Sequence, residues 1–381
     1  MSKKVLYIID SMHHSAGMER VVANKASFLS SYGYKVTILT LNQKGRPYYY
    51  DIPDTVKKCD IDINYDEYND NIIIVKIFKY ICKTILFKRR LSQFLFENPQ
   101  DIVVTLSKRT ISTLLKKPRN YKLIFEHHFN KFYDENSNSL FGHSGLSKFI
   151  YKNRTRKYLR LFRMVDKFVV LTKEDKALWG ASYSNIAVIP NSIDYNDNEK
   201  ANLDSNIVIA VGRLELQKGF DMLIKAWSLI SNKNNKWELH IYGNGSQSDV
   251  LNKMIKDYNL DESIKIFPPS KSIKDKIRKA SIFVLSSRYE GLPMVMLESM
   301  SLGLPCVSFN CKTGPSDIIE ENGKEGILCT EGDIQQLADG LSMLMNNRML
   351  LKSIGNNAHI KMKQYSHEVI AQQWIDLFEN L

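Results

Sequence analysis

Short, unbroken apolar runs alternate along this chain with longer stretches whose apolar residues recur every three or four positions. In the first half the runs are Val5–Asp10, Lys35–Leu41, Ile102–Leu106, Lys122–Glu126, Lys167–Leu171 and Ile186–Pro190. A run apolar on both sides of the pleat marks a strand buried on both faces. Its alternation with helical spacing predicts parallel α/β layering. The second half repeats the pattern with Ile207–Val211, Trp237–Tyr242 and Ile282–Leu285, each closed by a glycine or polar turn. Three strand–turn–helix units with that chemistry predict a doubly wound sheet, which binds ligands beyond the carboxyl ends of its strands. The polar stretch 196–206 predicts a linker and Pro190-Asn191-Ser192 a hinge. A chain of 381 residues suits two domains, of roughly 190 and 170 residues. We place them at 1–192 and 193–364, followed by a last segment, 365–381, whose Val369, Trp374, Ile375 and Phe378 share one helix face.

Residues 286–305 carry the densest chemistry. The turn Glu290-Gly291-Leu292-Pro293 separates the Ile282–Leu285 run from a helical segment in which Met294, Leu297 and Met300 share a face. Pro293 suits the first helical turn, where its missing N–H costs nothing. Glu290 then sits at the helix mouth and Glu298 reaches back toward it, beside free backbone N–H groups that favour an anion. Upstream, Gly212-Arg213 and Lys218-Gly219 bound a loop between the run Ile207–Val211 and the amphipathic segment Met222–Ile230. Glycines there let the backbone approach a ligand, and the two cations offset phosphate charge. The turn Gly243-Asn244-Gly245 follows the next strand. Two carboxylates, two cations and an anion-favouring helix start suit one ligand with both phosphates and hydroxyl-rich rings, a sugar nucleotide. The plainer alternative for the Glu pair is capping and surface charge.

Gly212-Arg213-Leu214 with Gln217-Lys218-Gly219, the Tyr242-Gly-Asn-Gly turn, and Glu290 spaced seven residues from Glu298 resemble the retaining glycosyltransferases of family 4, and they occur in the family's order. Gly17-Met18-Glu19-Arg20 resembles that family's first-strand glycine loop. The resemblance implies a GT-B fold: two Rossmann-like domains facing a central cleft, with the last helix crossing back to the first domain. It also implies transfer of a hexose or N-acetylhexosamine from a UDP-sugar to a glycan or lipid-linked acceptor, in bacterial surface polysaccharide synthesis. Glu298 would hold the ribose, while Glu290 and the backbone of Gly291 and Leu292 hold the sugar. Arg213 and Lys218 would neutralise the departing diphosphate, with Gly17, Gly212 and Gly243 allowing close approach. A strand-end histidine facing the transferred sugar matches His127 best, with His128 beside it. Many relatives carry Gly-Gly-x-x-Glu after the Glu298 helix, where this chain has Cys311-Lys312-Thr313-Gly314-Pro315. Thr313 and Gly314 can still offer backbone donors, and the change favours a glucose- or galactose-type donor over mannose. Rival readings are an epimerase or phosphorylase on the same scaffold, or a catalytically silent surface-binding protein.

Charge is uneven. Residues 1–190 hold 32 Lys/Arg against 17 Asp/Glu, and residues 191–381 hold 21 against 24. The basic surplus therefore lies outside the donor-side half. Within it, 72–96 predicts an amphipathic helix: Ile74, Ile77, Phe78, Ile81, Ile85 and Leu86 on one side, and Lys76, Lys79, Lys83, Lys88, Arg89 and Arg90 mostly on the other. A second basic tract runs from Lys148 to Lys167 with Phe149, Ile150, Leu159 and Phe162. Such segments either pack on the first sheet with their cations solvated, or lie on an anionic membrane surface. No module for nucleic acid is evident. The opening apolar run is too short for a signal peptide, and no stretch reaches a membrane span. Five cysteines lack ligand spacing or an even count, which predicts reduced thiols and a cytoplasmic protein, peripheral at most. Asp60-Ile61-Asp62 has the form of a metal-binding pair. It lies in an unpatterned acidic stretch, so we expect a solvated loop, no metal and no cofactor besides the UDP-sugar donor.

Overall fold

The computed structural model describes residues 2–14, 17–65, 73–115, 119–131, 145–231 and 236–381. A first sheet contains β1 (Lys4–Ile9), β2 (Lys35–Thr40), β3 (Lys57–Asp60), β4 (Ile102–Thr105), β5 (Lys122–His127), β6 (Lys167–Val170) and β7 (Ile186–Val188). Its spatial order is β3-β2-β1-β4-β5-β6-β7, parallel throughout. A second sheet contains β8 (Ile207–Val211), β9 (Glu238–Tyr242), β10 (Ile264–Phe267), β11 (Ile282–Leu285), β12 (Cys306–Phe309) and β13 (Ile327–Cys329). Its order, β10-β9-β8-β11-β12-β13, repeats the same winding. Both are Rossmann-like, with the switch point beside the first strand of each sheet.

The unbroken apolar runs have a direct cause. Leu6 and Ile8 enter one core with Phe125 and Phe168, while Val5, Tyr7 and Ile9 enter another on the opposite face of the sheet. Alternate residues of one strand thus feed two cores, and neither face reaches water. The helix His367–Glu379 is capped by the Ser366 hydroxyl, which accepts from the Val369 N–H. It returns to the first domain, where Ile370, Trp374 and Phe378 join the core of Val5, Tyr7 and Val22. Lys3 Nζ donates to Phe378 O at 2.7 Å and Tyr34 Oη to Glu379 Oε1 at 2.9 Å, holding the helix there.

Several expectations require correction. Strand β3, Lys57–Asp60, takes Asp60 out of the stretch expected to be a solvated loop; as an edge strand with mostly exposed side chains it has no apolar run to reveal it. Asp60 is tied to β2, accepting from Thr40 Oγ1 at 3.0 Å. The stretch 196–206 is not a free linker. Leu203 is buried in the second core, Ala201 N donates to Leu302 O at 2.8 Å, and Arg348 clamps Leu203 O and Ser205 O at 2.8 Å each. The chain passes between lobes beside Ile193 and Ser366, which form a bridge, with Ile193 N donating to Tyr365 O at 2.9 Å. On the last helix Val369 points outward, and Ile370 and Ala371 are buried instead.

Of the two alternatives for the helix Ile73–Glu97, packing of the row Phe78, Ile81 and Ile85 on the first sheet is not what is found. Phe87 and Leu91 are buried in the first domain with Phe94 and Leu95 against them, whereas Phe78, Ile81 and Ile85 are exposed. The helix has two apolar rows, and the sheet takes the one with Phe87 and Leu91. Arg90 fastens that choice by donating to Ile61 O and Asp62 O at 2.8 and 2.6 Å. In the helix Gly145–Phe162, Phe162 stacks on Phe125 and Leu159 packs nearby, so the carboxyl end of the second basic tract is structural. The side chains of Lys148, Phe149 and Ile150 lie outside the described residues.

Candidate active site

Lys218 and Glu290 come from different loops at the carboxyl edge of the second sheet, and they meet. Lys218 Nζ lies 2.7 Å from Glu290 Oε1, which also accepts from Ser287 Oγ at 2.6 Å. The Lys218 side chain is 18% exposed and that of Glu290 7%, so the pair is open enough to be reached and buried enough to be ordered. Arg213, Gln217, Tyr289, Glu290 and Gly291 line one cavity of about 690 Å³, closed from the first domain by Phe129 and Asn130. Arg213 is otherwise engaged only lightly, donating to Gln217 Oε1 at 3.1 Å.

Loop-on-loop packing explains the glycines. A Cβ at Gly243 would fall 1.9 Å from Gly212 O, and one at Gly245 would fall 2.4 Å from Leu214 O. The two turns are laced by Gly212 N to Tyr242 O at 3.0 Å and Leu214 N to Asn244 O at 2.7 Å. Gly212 and Gly243 therefore shape the loop that carries Arg213. Arg288, a residue not singled out from sequence, holds the same loop from the other side. Its guanidinium binds Asp221 through two 2.8 Å contacts and donates to Leu216 O at 2.6 Å. Such forked pairing fixes orientation as well as distance.

The turn at Glu290 is the point of contact between lobes. Asn130, on the loop after β5, donates through Nδ2 to Glu290 O and to Lys312 O, the latter at 3.2 Å. A Cβ on Gly291 would sit 2.5 Å from His128 O, so only glycine admits this approach. Thr313 is fully buried: its N–H donates to Glu290 O at 3.0 Å and its hydroxyl to Gly291 O at 2.9 Å. Gly314 packs against the same turn: a Cβ there would fall 2.7 Å from Pro293 Cδ and 3.2 Å from Gly291 O. The Thr313 N–H is therefore not a spare donor, contrary to expectation, and both residues brace the Glu290 turn. Leu292 is buried in the second core, contributing packing.

Glu298 lies within the helix Met294–Ser301 and is paired across the lobes with Arg20. It stands outside the lining of the Arg213 cavity. Arg20 belongs to the helix Gly17–Ser31, whose first residue, Gly17, has open space where a Cβ would be. The four residues expected to converge thus divide: Arg213 and Glu290 line one cavity, Lys218 stands outside its lining but is joined to it through Glu290, and Glu298 pairs with Arg20.

The two histidines separate by strand alternation. His127 shares the face of Phe125 and sits among Phe162, Phe168 and Trp179, 2% exposed, with Asp175 Oδ2 4.0 Å from Nδ1. It is a core residue, and the expectation that it faces the transferred sugar is not met. His128 shares the other face: its Nε2 lies 3.1 Å from Glu126 Oε1, and its carbonyl is the one beneath Gly291. Behind it, Glu126 is ion-paired with Lys25, both sealed from water. Burial alone would raise the Glu126 carboxyl, yet Lys25 and His128 hold it down at about 2. Lys25 also lies over the Trp374 ring, 4.3 Å from its centroid, which ties the returning helix to this network.

A cleft between two Rossmann-like lobes, with a Lys–Glu pair and an arginine on a cavity at the second sheet's carboxyl edge, defines the GT-B class of glycosyltransferase. Residues 15–197 match Glycosyltransferase Family 4, and residues 192–361 match Glycosyl transferases group 1. The chain belongs to this glycosyltransferase family. It is 28% identical over 380 residues to an uncharacterized glycosyltransferase of Haemophilus influenzae, covering 98% of this chain and 99% of that one. It is also 28% identical over 386 residues to the amylovoran biosynthesis glycosyltransferase AmsD of Erwinia amylovora, with the same coverages. Its fold is similar to that of a Staphylococcus aureus TarM mutant in complex with fondaparinux, alpha-GlcNAc-glycerol and UDP (TM-score 0.76, 18% identity, 99% of each chain).

Proposed function

We propose that this protein transfers a hexose or N-acetylhexosamine from a UDP-sugar to a hydroxyl of a glycan or lipid-linked glycan, with retention of configuration, in bacterial surface polysaccharide synthesis. The observation that carries the proposal is the Lys218–Glu290 contact at the rim of the Arg213 cavity. One ammonium and one guanidinium there suit a diphosphate, and a carboxylate fixed on Oε1 by two donors suits sugar hydroxyls. The amylovoran relative and the UDP held by the structural neighbour support polymer synthesis and the nucleotide respectively.

In the proposed reaction the diphosphate leaves as the glycosidic bond loosens, and Lys218 and Arg213 stabilise its growing charge without a metal. Glu290 and the Gly291 backbone orient the sugar, and the acceptor hydroxyl enters from the first domain on the face the diphosphate vacates. The lobe contact at Asn130 and Gly291 keeps water from the donor. His128, rather than His127, is the histidine on the cleft side.

The test is product analysis with UDP-[14C]glucose, UDP-[14C]galactose and their N-acetylated counterparts, with and without EDTA, against a lipid-linked glycan extract. Label in an alpha-linked product, undiminished by EDTA, is the expected result. Label only in free sugar, in an epimerised nucleotide or in a beta linkage would refute it.

A further inference from the structure

The helix Ile73–Glu97 presents a second apolar row that the first domain does not cover. With about 100° between successive residues, Phe87 and Leu91 mark the buried side, and Phe78, Ile81 and Ile85 fall opposite at steps of three and four. Their exposures are 67, 50 and 62%. Phe96, five turns beyond Phe78, returns to the same line and is 86% exposed. Monomeric proteins scatter exposed apolar residues singly; a row along one helix face marks an interaction surface. Lys79 and Lys88 flank the row on either side and Arg89 lies along it, all exposed. The helix carries six basic residues and one acidic residue, Glu97 at its carboxyl end. Among the described residues no helix is long and apolar enough to cross a membrane.

We infer that this face docks on an anionic lipid bilayer, the helix lying in the plane of the interface with Phe78, Ile81, Ile85 and Phe96 among the acyl chains. Charge decides between occupants. A second copy laid on the same row would bring Lys88 and Arg89 against their own duplicates with no carboxylate from 73–96 between them. Anionic headgroups around an apolar row complement both features at once. The opposite face explains the rigidity of the mount: Arg90, held by Ile61 O and Asp62 O, and the buried Phe87 and Leu91 fasten the helix to the lobe. Docking is independent of which sugar the cleft transfers. For a protein acting on lipid-linked glycans, it would bring the first domain to the surface where that acceptor lies.

Vesicle sedimentation of the full chain, without donor or acceptor, tests this apart from the activity. The protein should pellet with phosphatidylglycerol–phosphatidylcholine vesicles and remain in the supernatant with pure phosphatidylcholine. Lys88→Glu with Arg89→Glu should weaken binding at least tenfold, because each cation near an anionic leaflet strengthens it roughly fivefold. Phe78→Ser, Ile81→Ser and Ile85→Ser together should abolish it, and since all three side chains are exposed the thermal midpoint should hold. Equal binding to both vesicle types, or full binding by the triple serine variant, would overturn the proposal. So would a dimer in light scattering that the triple variant dissolves, which would make the face a contact between copies.

Discussion

Lys218–Glu290 and Lys25–Glu126 are the same two side chains placed in different surroundings. In the first pair the side chains are 18 and 7% exposed, at the rim of the cavity that Arg213 lines; in the second they are 1 and 0% exposed, behind β5. The open pair is partly exposed, so its internal contact can be exchanged for one to a ligand. The sealed pair cannot, and its worth is architectural: Lys25 joins the first helix to β5 and, through the Trp374 ring, to the returning helix. Burial, rather than residue type, separates a site from a strut. Substitutions can break or sharpen this contrast.

The largest effect should come from Glu290→Gln. The amide keeps an oxygen for Ser287 and nearly the same shape, but it loses the charge that pairs with Lys218. We expect transfer to fall about a thousandfold, equivalent to about 4 kcal/mol, the scale seen when a fixed electrostatic contact to reacting groups is removed. The thermal midpoint should move by no more than a few degrees. Wild-type turnover would remove Glu290 from the mechanism.

Glu126→Gln should do the reverse, costing about 3–5 kcal/mol of stability by leaving a buried ammonium without its counter-charge. Urea denaturation reads this directly. Replacing the pair together, Lys25→Met with Glu126→Leu, should recover most of the loss, since removing both charges removes the desolvation cost. The pH dependence follows from the same carboxyl. Its pKa is about 2 in the folded protein, below the ordinary value near about 4.3. Its contribution is therefore complete above the ordinary value and is lost as pH falls through about 2. The Gln variant should lack this part of the acid-side slope.

How far these roles were legible in the sequence depends on whether a residue's partner is near in the chain. Strands β1, β2, β4 and β5 announce themselves because each feeds two cores and must be apolar throughout. Strand β3 does not, since Lys57-Lys58-Cys59-Asp60 pairs on one side only and leaves all but the Cys59 side chain exposed. Glu290 and Lys218 stand out through the turns that carry them, although 72 positions separate them. Asn130, Arg288 and Ser287 have no such signal; their importance lies in what a distant loop offers them. The alternation of Phe125, Glu126, His127 and His128 divides the two histidines between faces, but which face meets the second lobe is a property of the assembled cleft. The basic helix at 73–97 shows the same limit, since two apolar rows were present and only packing could choose between them.

Lys218→Ala should weaken UDP binding about tenfold, or about 1.4 kcal/mol, when titrated by calorimetry. The loss is smaller than for Glu290→Gln in turnover because Arg213 remains on the cavity to meet the diphosphate. Unchanged UDP affinity would place the nucleotide elsewhere.

The smallest effect separates two uses of Glu298. Its contact with Arg20 crosses the lobes with side chains 24 and 38% exposed, a setting in which an ion pair contributes about 0.5 kcal/mol or less after solvent screening. Arg20→Ala should therefore leave the thermal midpoint within about two degrees. If Glu298 also holds the ribose hydroxyls, Arg20 competes for the same carboxylate, and its removal should leave UDP affinity unchanged or raise it up to about threefold. Glu298→Ala should then lower that affinity about tenfold. If Glu298 serves only to join the lobes, the two variants should behave alike, and both should bind UDP as the parent does. Unequal UDP affinities for the two variants place Glu298 on the nucleotide; equal ones make it a strut, like Glu126.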